Sequence, residues 1–347
     1  MTLQDLLTDC ASVADRLLAW FATDARDLPW RRARTPYRVW VAEVMLQQTR
    51  VDTVVAYYDR FLSHFPSVQA LAGAPLESVL KAWEGLGYYA RARNLHAAAQ
   101  HIMTAHGGHL PNTFEGLLAL PGVGRYIAGA VASIAFGQAV AAVDGNARRV
   151  LCRVFAIRED AAQPAVQREL EALAARLLPT GQPGAFNEAL MELGATVCTP
   201  RSPRCNGCPL GTLCKARLAG DAESLPVRRA RPRVPHYDVA AAVTWDGDGR
   251  VLVAQRRADD MLGGLWEFPG GKREGDETLP ECLTREIREE LDVEIEVGGL
   301  LTVVSHAYTH FRITLHAFLC RWASGEPRCL ECAAFQWVRP DELDGLP

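Results

Sequence analysis

The sequence predicts a multidomain chain in which an all-α domain precedes a smaller α+β domain. The first observation is periodicity. From Leu3 to about Ala219, apolar residues recur at spacings of three and four, as in Ala11–Ala22, Tyr37–Phe65, Leu76–Ala82, Ala90–His106 and Ala165–Leu178. The second is a change of composition after Cys214. Arg228-Arg229-Ala230-Arg231-Pro232-Arg233-Val234-Pro235 is basic, non-periodic and Pro-containing, and it reads as an extended linker over 218–236. The third is strand patterning from Asp238. Val239–Trp245 and Val251–Gln255 flank the turn Asp246-Gly247-Asp248-Gly249, a helix spans about Leu279–Leu291, and strands follow at Leu300–Val304 and Ile313–Trp322. The predicted domains are therefore 1–217 and 237–347.

Each domain has its own charge. Residues 1–217 hold 22 Lys and Arg against 18 Asp and Glu, and the remainder holds 15 against 23. The front is mildly basic, which permits a nucleic-acid partner without establishing one. No run reaches the roughly 18 apolar residues of a membrane helix, and the acidic start lacks a basic signal-type region, so a cytoplasmic location is expected. Clustered cysteines in that compartment suggest metal before disulfides.

Cys198, Cys205, Cys208 and Cys214 follow C-x6-C-x2-C-x5-C, interleaved with Pro200, Pro203, Gly207 and Pro209. Four thiolates on a loop that cannot be a regular helix can hold zinc or an iron–sulfur cluster, and spacing alone does not choose. Leu120-Pro121-Gly122-Val123-Gly124-Arg125 joins two helical segments. Its glycines let backbone N–H groups reach an anion at the start of the helix from Tyr126. An ordinary glycine-containing turn is the plainer alternative.

Two carboxylates stand out. Glu43 interrupts the apolar stretch Trp40–Thr49. Burial would keep it protonated and fit it as a general acid; a place on the helix's outer face would not. Asp144 opens Val143-Asp144-Gly145-Asn146-Ala147-Arg148-Arg149. It reads either as a helix N-cap or as a carboxylate facing a sugar cation.

The cysteine spacing resembles the cluster loop of the endonuclease III superfamily, and Leu120–Arg125 resembles a helix–hairpin–helix motif. Trp40–Thr49, Gly85–Leu95, Leu120–Ala130 and Val143–Val150 resemble adenine DNA glycosylases of the MutY family. The resemblance implies a 4Fe–4S cluster on the four cysteines and a monomeric enzyme that excises adenine opposite 8-oxoguanine in duplex DNA. It implies that Glu43 protonates the base, Asp144 stabilises the sugar cation, Asn146 orients Asp144 and Tyr126 assists. Gln48, Thr49, Leu86, Tyr88, Gly122, Val123 and Gly124 would meet DNA, and Arg31 and Glu188 would line the adenine pocket. Bifunctional relatives carry a lysine where Tyr126 stands, so a monofunctional glycosylase is expected. Related glycosylases of other specificity and a non-catalytic mismatch sensor are the competing readings.

Residues 238–347 resemble a Nudix domain. The run Gly271-x5-Glu277-x7-Arg285-Glu286-Ile287-Arg288-Glu289-Glu290 fits its box, with Asp292 where a helix-closing glycine is expected. Glu286, Glu289 and Glu290 share a helix face and are candidate magnesium ligands, with Glu331 a further oxygen. In the family this domain reads 8-oxoguanine, through a loop that is here Tyr308-Thr309-His310; a nearly intact box also allows hydrolysis of oxidised dGTP. Cys282, Cys320, Cys329 and Cys332 read as reduced thiols.

Overall fold

The computed structural model describes residues 3–227, 234–308 and 310–347, with side chains from Ala11 onward. The chain divides into two compact units, 1–74 with 91–230 and 75–90 with 231–347. The boundary at 230/231 falls in the basic stretch Arg228–Arg233, which lies outside the described residues.

The first unit is helical. Its opening helices are α1 (Leu3–Asp24), α2 (Pro29–Arg32), α3 (Pro36–Leu46), α4 (Val51–His64) and α5 (Val68–Gly73). After α6 (Leu76–Trp83), which counts with the second unit, come α7 (Ala90–Ala105), α8 (Phe114–Leu118), α9 (Arg125–Phe136), α10 (Gly145–Phe155), α11 (Pro164–Leu177), α12 (Pro183–Thr196) and α13 (Lys215–Leu218). Proline at the first turn starts α2, α3, α11 and α12, where its missing N–H costs nothing. Leu17, Val150, Leu151, Leu170, Phe186, Leu190 and Leu193 fill one core joining α1, α10, α11 and α12. Asn187 fixes the approach to α10: its amide accepts from Ala142 N at 3.1 Å and donates to Ser133 Oγ at 2.8 Å.

One predicted segment is corrected. Tyr37–Phe65 is not continuous but breaks between α3 and α4. Buried Arg91 causes the break to persist, because its Nη1 donates to the carbonyls of Val44, Met45 and Gln47 at 3.0, 2.7 and 2.7 Å, and its Nη2 to Thr49 Oγ1 at 3.0 Å. Carbonyls that would have continued the helix bond a guanidinium from α7 instead.

The second unit holds a mixed sheet with strands β1 (His236–Trp245), β2 (Val251–Gln255), β3 (Trp266–Glu267), β4 (Gly270–Lys272), β5 (Glu294–Ala307), β6 (Arg312–Ser324) and β7 (Ala334–Val338). The order is β3-β2-β1-β6-β5, with β4 also on β1 and β7 on β2. β1 and β6 run parallel from His236↔Arg312 to Trp245↔Arg321, and β5 returns antiparallel along β6. Strand alternation gives two cores. Ala240, Ala242, Leu252 and Ala254 meet Cys282, Leu283, Ile287 and Leu291 of α14 (Leu279–Leu291) on one face. Val243, Val251, Val253 and Val338 fill the other. Thr278 and Glu281 form a capping box at the start of α14. Asp292 closes the helix at φ 59° and ψ 37°, the left-handed conformation expected of the glycine it replaces.

Candidate active site

Helix α3 is buried almost all round, and Glu43 is buried with it at 5% exposure. An ionised carboxylate there would lose its hydration, so burial pushes its pKa up to about 7, reinforced by the nearby charges of Glu188 and Asp144. Tyr126, one residue into α9, donates its phenolic proton to Glu43 Oε2 at 2.5 Å, which pulls in the opposite direction. Burial and the same carboxylates hold Tyr126 well above its ordinary pKa, so it stays a neutral donor.

Asp144 takes up the N-cap reading and also reaches a cavity. It is the N-cap of α10, with Oδ1 accepting from Ala147 N at 2.7 Å. It also lines the same cavity as Glu43 and Tyr126. Asn146 Nδ2 donates to Asp144 Oδ2 at 2.9 Å, and Asn146 Oδ1 accepts from Arg149 Nη2 at 2.8 Å. Burial still raises the Asp144 pKa, against these hydrogen bonds and the Arg149 charge. Gly194 on α12 allows this packing, since a Cβ there would lie 2.6 Å from Asn146 Cβ.

The cavity has a volume of about 480 Å³. It brings together Arg31, Glu43, Gln48, Thr49, Tyr126, Asp144, Asn146 and Glu188, which are far apart in the sequence. One wall is an ion network that sequence reasoning saw only in part. Arg31 Nε lies 3.2 Å from Glu188 and its Nη2 3.0 Å from Glu192. Arg26 reaches Glu192 at 2.6 Å, and Arg34 reaches Glu188 at 3.0 Å. Burial raises the Glu188 pKa despite its arginines. At Glu192 the pairs with Arg26 and Arg31 outweigh burial and hold the carboxyl below its usual range. The i,i+4 spacing of Glu188 and Glu192 was the available signal for Glu192.

The hairpin residues take their expected shape. Gly122 turns at φ 70°, where a Cβ would lie 2.4 Å from Asn94 Cβ, and Gly124 caps α9. The Val123 side chain is buried, and its N–H donates to the Leu120 carbonyl at 3.1 Å, which closes the turn. Gln48 and Tyr88 both hold left-handed backbones, at φ 55° and 50°; such strain in non-glycine residues gathers at functional sites. Both are exposed, whereas the Leu86 side chain is buried and presents no apolar surface to a duplex.

Cys198, Cys205, Cys208 and Cys214 line one small cavity with Arg153, Arg204 and Arg217. Arg153 Nη1 donates to Cys198 Sγ at 3.3 Å. Among the described residues no three potential ligands are drawn as close as a bound ion draws them. The donor set is nevertheless four thiols without an imidazole or carboxylate, beside arginines that suit an anionic thiolate cluster.

The magnesium expectation for Glu286, Glu289 and Glu290 finds no support. Arg285 occupies the acidic face, with Nη1 at 3.0 Å from both Glu286 and Glu289 and Nη2 at 2.7 Å from Glu277. An internal cation supplies the countercharge that a metal would otherwise provide. Glu290 stands apart and half-buried; loss of hydration, and then the charge of Glu267, push its pKa up to about 7. Glu331 is exposed and meets α14 through its backbone N–H. Of the predicted lesion loop, Tyr308 packs on His306 and Phe311 at centroid distances of 4.6 and 4.8 Å, and His310 is exposed. Thr309 lies outside the described residues.

A family model of HhH-GPD superfamily base excision DNA repair proteins matches residues 41–176, and a NUDIX domain model matches 240–347. The human adenine DNA glycosylase is 38% identical over 94% of this chain and 70% of its own length. The chain belongs to the adenine DNA glycosylase family. The rat adenine DNA glycosylase is 36% identical over 97% of this chain and 76% of its own. A thermostable thymine-DNA glycosylase superposes with a TM-score of 0.57 at 31% identity, covering 61% of this chain and 98% of that one. An endonuclease III in a trapped covalent complex with DNA superposes at 0.54 with 26% identity, covering 63% and 99%. This protein is thus a DNA-binding glycosylase of base excision repair, with a helical domain like endonuclease III followed by a Nudix-like domain.

Proposed function

We propose that this glycosylase removes adenine opposite 8-oxoguanine by acid-assisted hydrolysis of the N-glycosidic bond, and that it does not cleave the strand. The observation that carries this reading is the buried Glu43, poised near pH 7 and bonded to Tyr126, in one cavity with Asp144. A base inside the duplex cannot reach such a cavity, so adenine is turned out of the stack. Protonated Glu43 gives its proton to the leaving purine. Asp144, held by Asn146 and Ala147, faces the sugar cation and guides water to it. Tyr126 offers no amine for a Schiff base, which supports an abasic product on an intact strand.

Cys198, Cys205, Cys208 and Cys214 would hold a 4Fe–4S cluster that secures the loop 198–214 and takes no part in base release. The aromatic turn at Tyr308 and His310 would read the 8-oxoguanine. A monomer suffices, because one chain supplies every residue named.

The test is single-turnover base release from duplexes holding A opposite 8-oxoguanine, T opposite G, or an oxidised pyrimidine. Adenine release from the first alone is expected, with about four iron atoms per purified chain. Preferred release of thymine or of an oxidised pyrimidine would replace the adenine reading.

A further inference from the structure

The arginines around the cavity are not equivalent. Arg26 and Arg31 are neutralised by Glu188 and Glu192 at 2.6–3.2 Å. Arg148, in the first turn of α10, also lines the cavity. Among the described residues its guanidinium has no carboxylate partner, and its Nε is buried without a hydrogen bond. Asp144, one turn earlier, does not hold it. That carboxylate is bonded to Asn146 and Ala147, and Arg149 is the cation acting on it.

A guanidinium that lines a cavity without a carboxylate partner is free to meet a group that enters the cavity. A guanidinium only donates, so its partner must be an acceptor, and its positive charge favours an anionic one. DNA brings one phosphate per nucleotide. Glu43, Asp144, Glu188 and Glu192 all line this cavity, so a phosphate drawn toward it meets repulsion unless a free cation offsets it. The start of α10 adds its own partial positive charge on the same side of the helix.

We infer that Arg148 binds the backbone phosphate adjoining the nucleotide turned into the cavity. This rests on the reading that a nucleotide is turned into that cavity, and not on which base it carries. Arg148 is thereby a DNA-binding residue beside Asp144, and its charge is kept free by the full pairing of Arg26 and Arg31.

The test uses the full chain and a duplex with a tetrahydrofuran abasic-site analogue, so binding needs no adenine and survives a failure of the adenine reading. Arg148→Met keeps the apolar stem of the side chain and removes the guanidinium with its charge. It is expected to weaken Kd about tenfold at ~0.1 M salt and to lower the slope of log Kd against log salt by about one. Arg148→Lys should restore most of that slope. Unchanged circular dichroism establishes that the variants fold. A slope equal to that of the parent enzyme in Arg148→Met would overturn the assignment, whatever the Kd, because a phosphate contact must carry its counterion release.

Discussion

Tyr126 Oη and Glu43 Oε2 lie 2.5 Å apart, joining α9 to α3 through a hydrogen bond that opposes the effect of burial on Glu43. Base release that needs protonated Glu43 should fall about tenfold per pH unit above about 7. Tyr126→Phe removes the lowering contribution, so the descending limb should move to higher pH. Single-turnover rates from pH 5.5 to 9 test this; a limb that stays in place would detach the proton donor from Glu43.

The same burial sets a stability trend. The folded pKa of Glu43 is raised above its unfolded value, so its contribution favours the fold at low pH and is lost as pH rises toward about 7. At pH 8, Glu43→Gln should be more stable than the parent by on the order of 2 kcal/mol, and near pH 4.5 by much less. It should bind DNA and release no adenine. Urea unfolding at the two pH values, with a base-release assay, checks both halves.

Gly194→Ala should impair catalysis without touching a reacting group. The added methyl would lie 2.6 Å from Asn146 Cβ and 2.8 Å from the Asn146 backbone, which is not a flexible tip. Asn146 must move, and Asp144 loses its orienting donor. A displacement near 1 Å typically costs about a hundredfold in rate. The expected loss is in the single-turnover rate at saturation, more than in the DNA Kd.

Arg26→Met should damage the cavity wall indirectly. It leaves Glu192, at 2% side-chain exposure, with Arg31 as its remaining ion partner. Arg31 is then pulled from Glu188, whose carboxyl rises further. A destabilisation of about 1–2 kcal/mol is expected, since Glu192 is buried but the Arg26 side chain is 35% exposed, measured by urea unfolding. Arg26→Met/Glu192→Met should recover much of it.

Asp292→Gly should stabilise the Nudix-like unit. Its left-handed φ of 59° costs a residue with a Cβ about 1 kcal/mol, and its 3.6 Å approach to Arg328 is exposed and worth little. A higher unfolding midpoint is the expected readout.

Features encoded within a few residues were legible in the chain. The helix Leu279–Leu291 was legible from its apolar period, and the left-handed closure at Asp292 from its place at the helix end. That the four cysteines gather on one loop was legible from their spacing, and they line one cavity. These depend on φ/ψ preference, side-chain period and donor chemistry, which act locally. Whether Glu43 is buried or exposed was not legible, because its environment comes from Tyr126, Asp144 and Glu188, between 83 and 145 positions away. The break after Leu46 needed Arg91, and the arginine–glutamate wall needed α12. By itself the sequence determined which chemical groups are present and which local shapes they favour. Only the tertiary structure decided which of them lose water together, and desolvation, not residue type, lifts the Glu43 pKa to about 7.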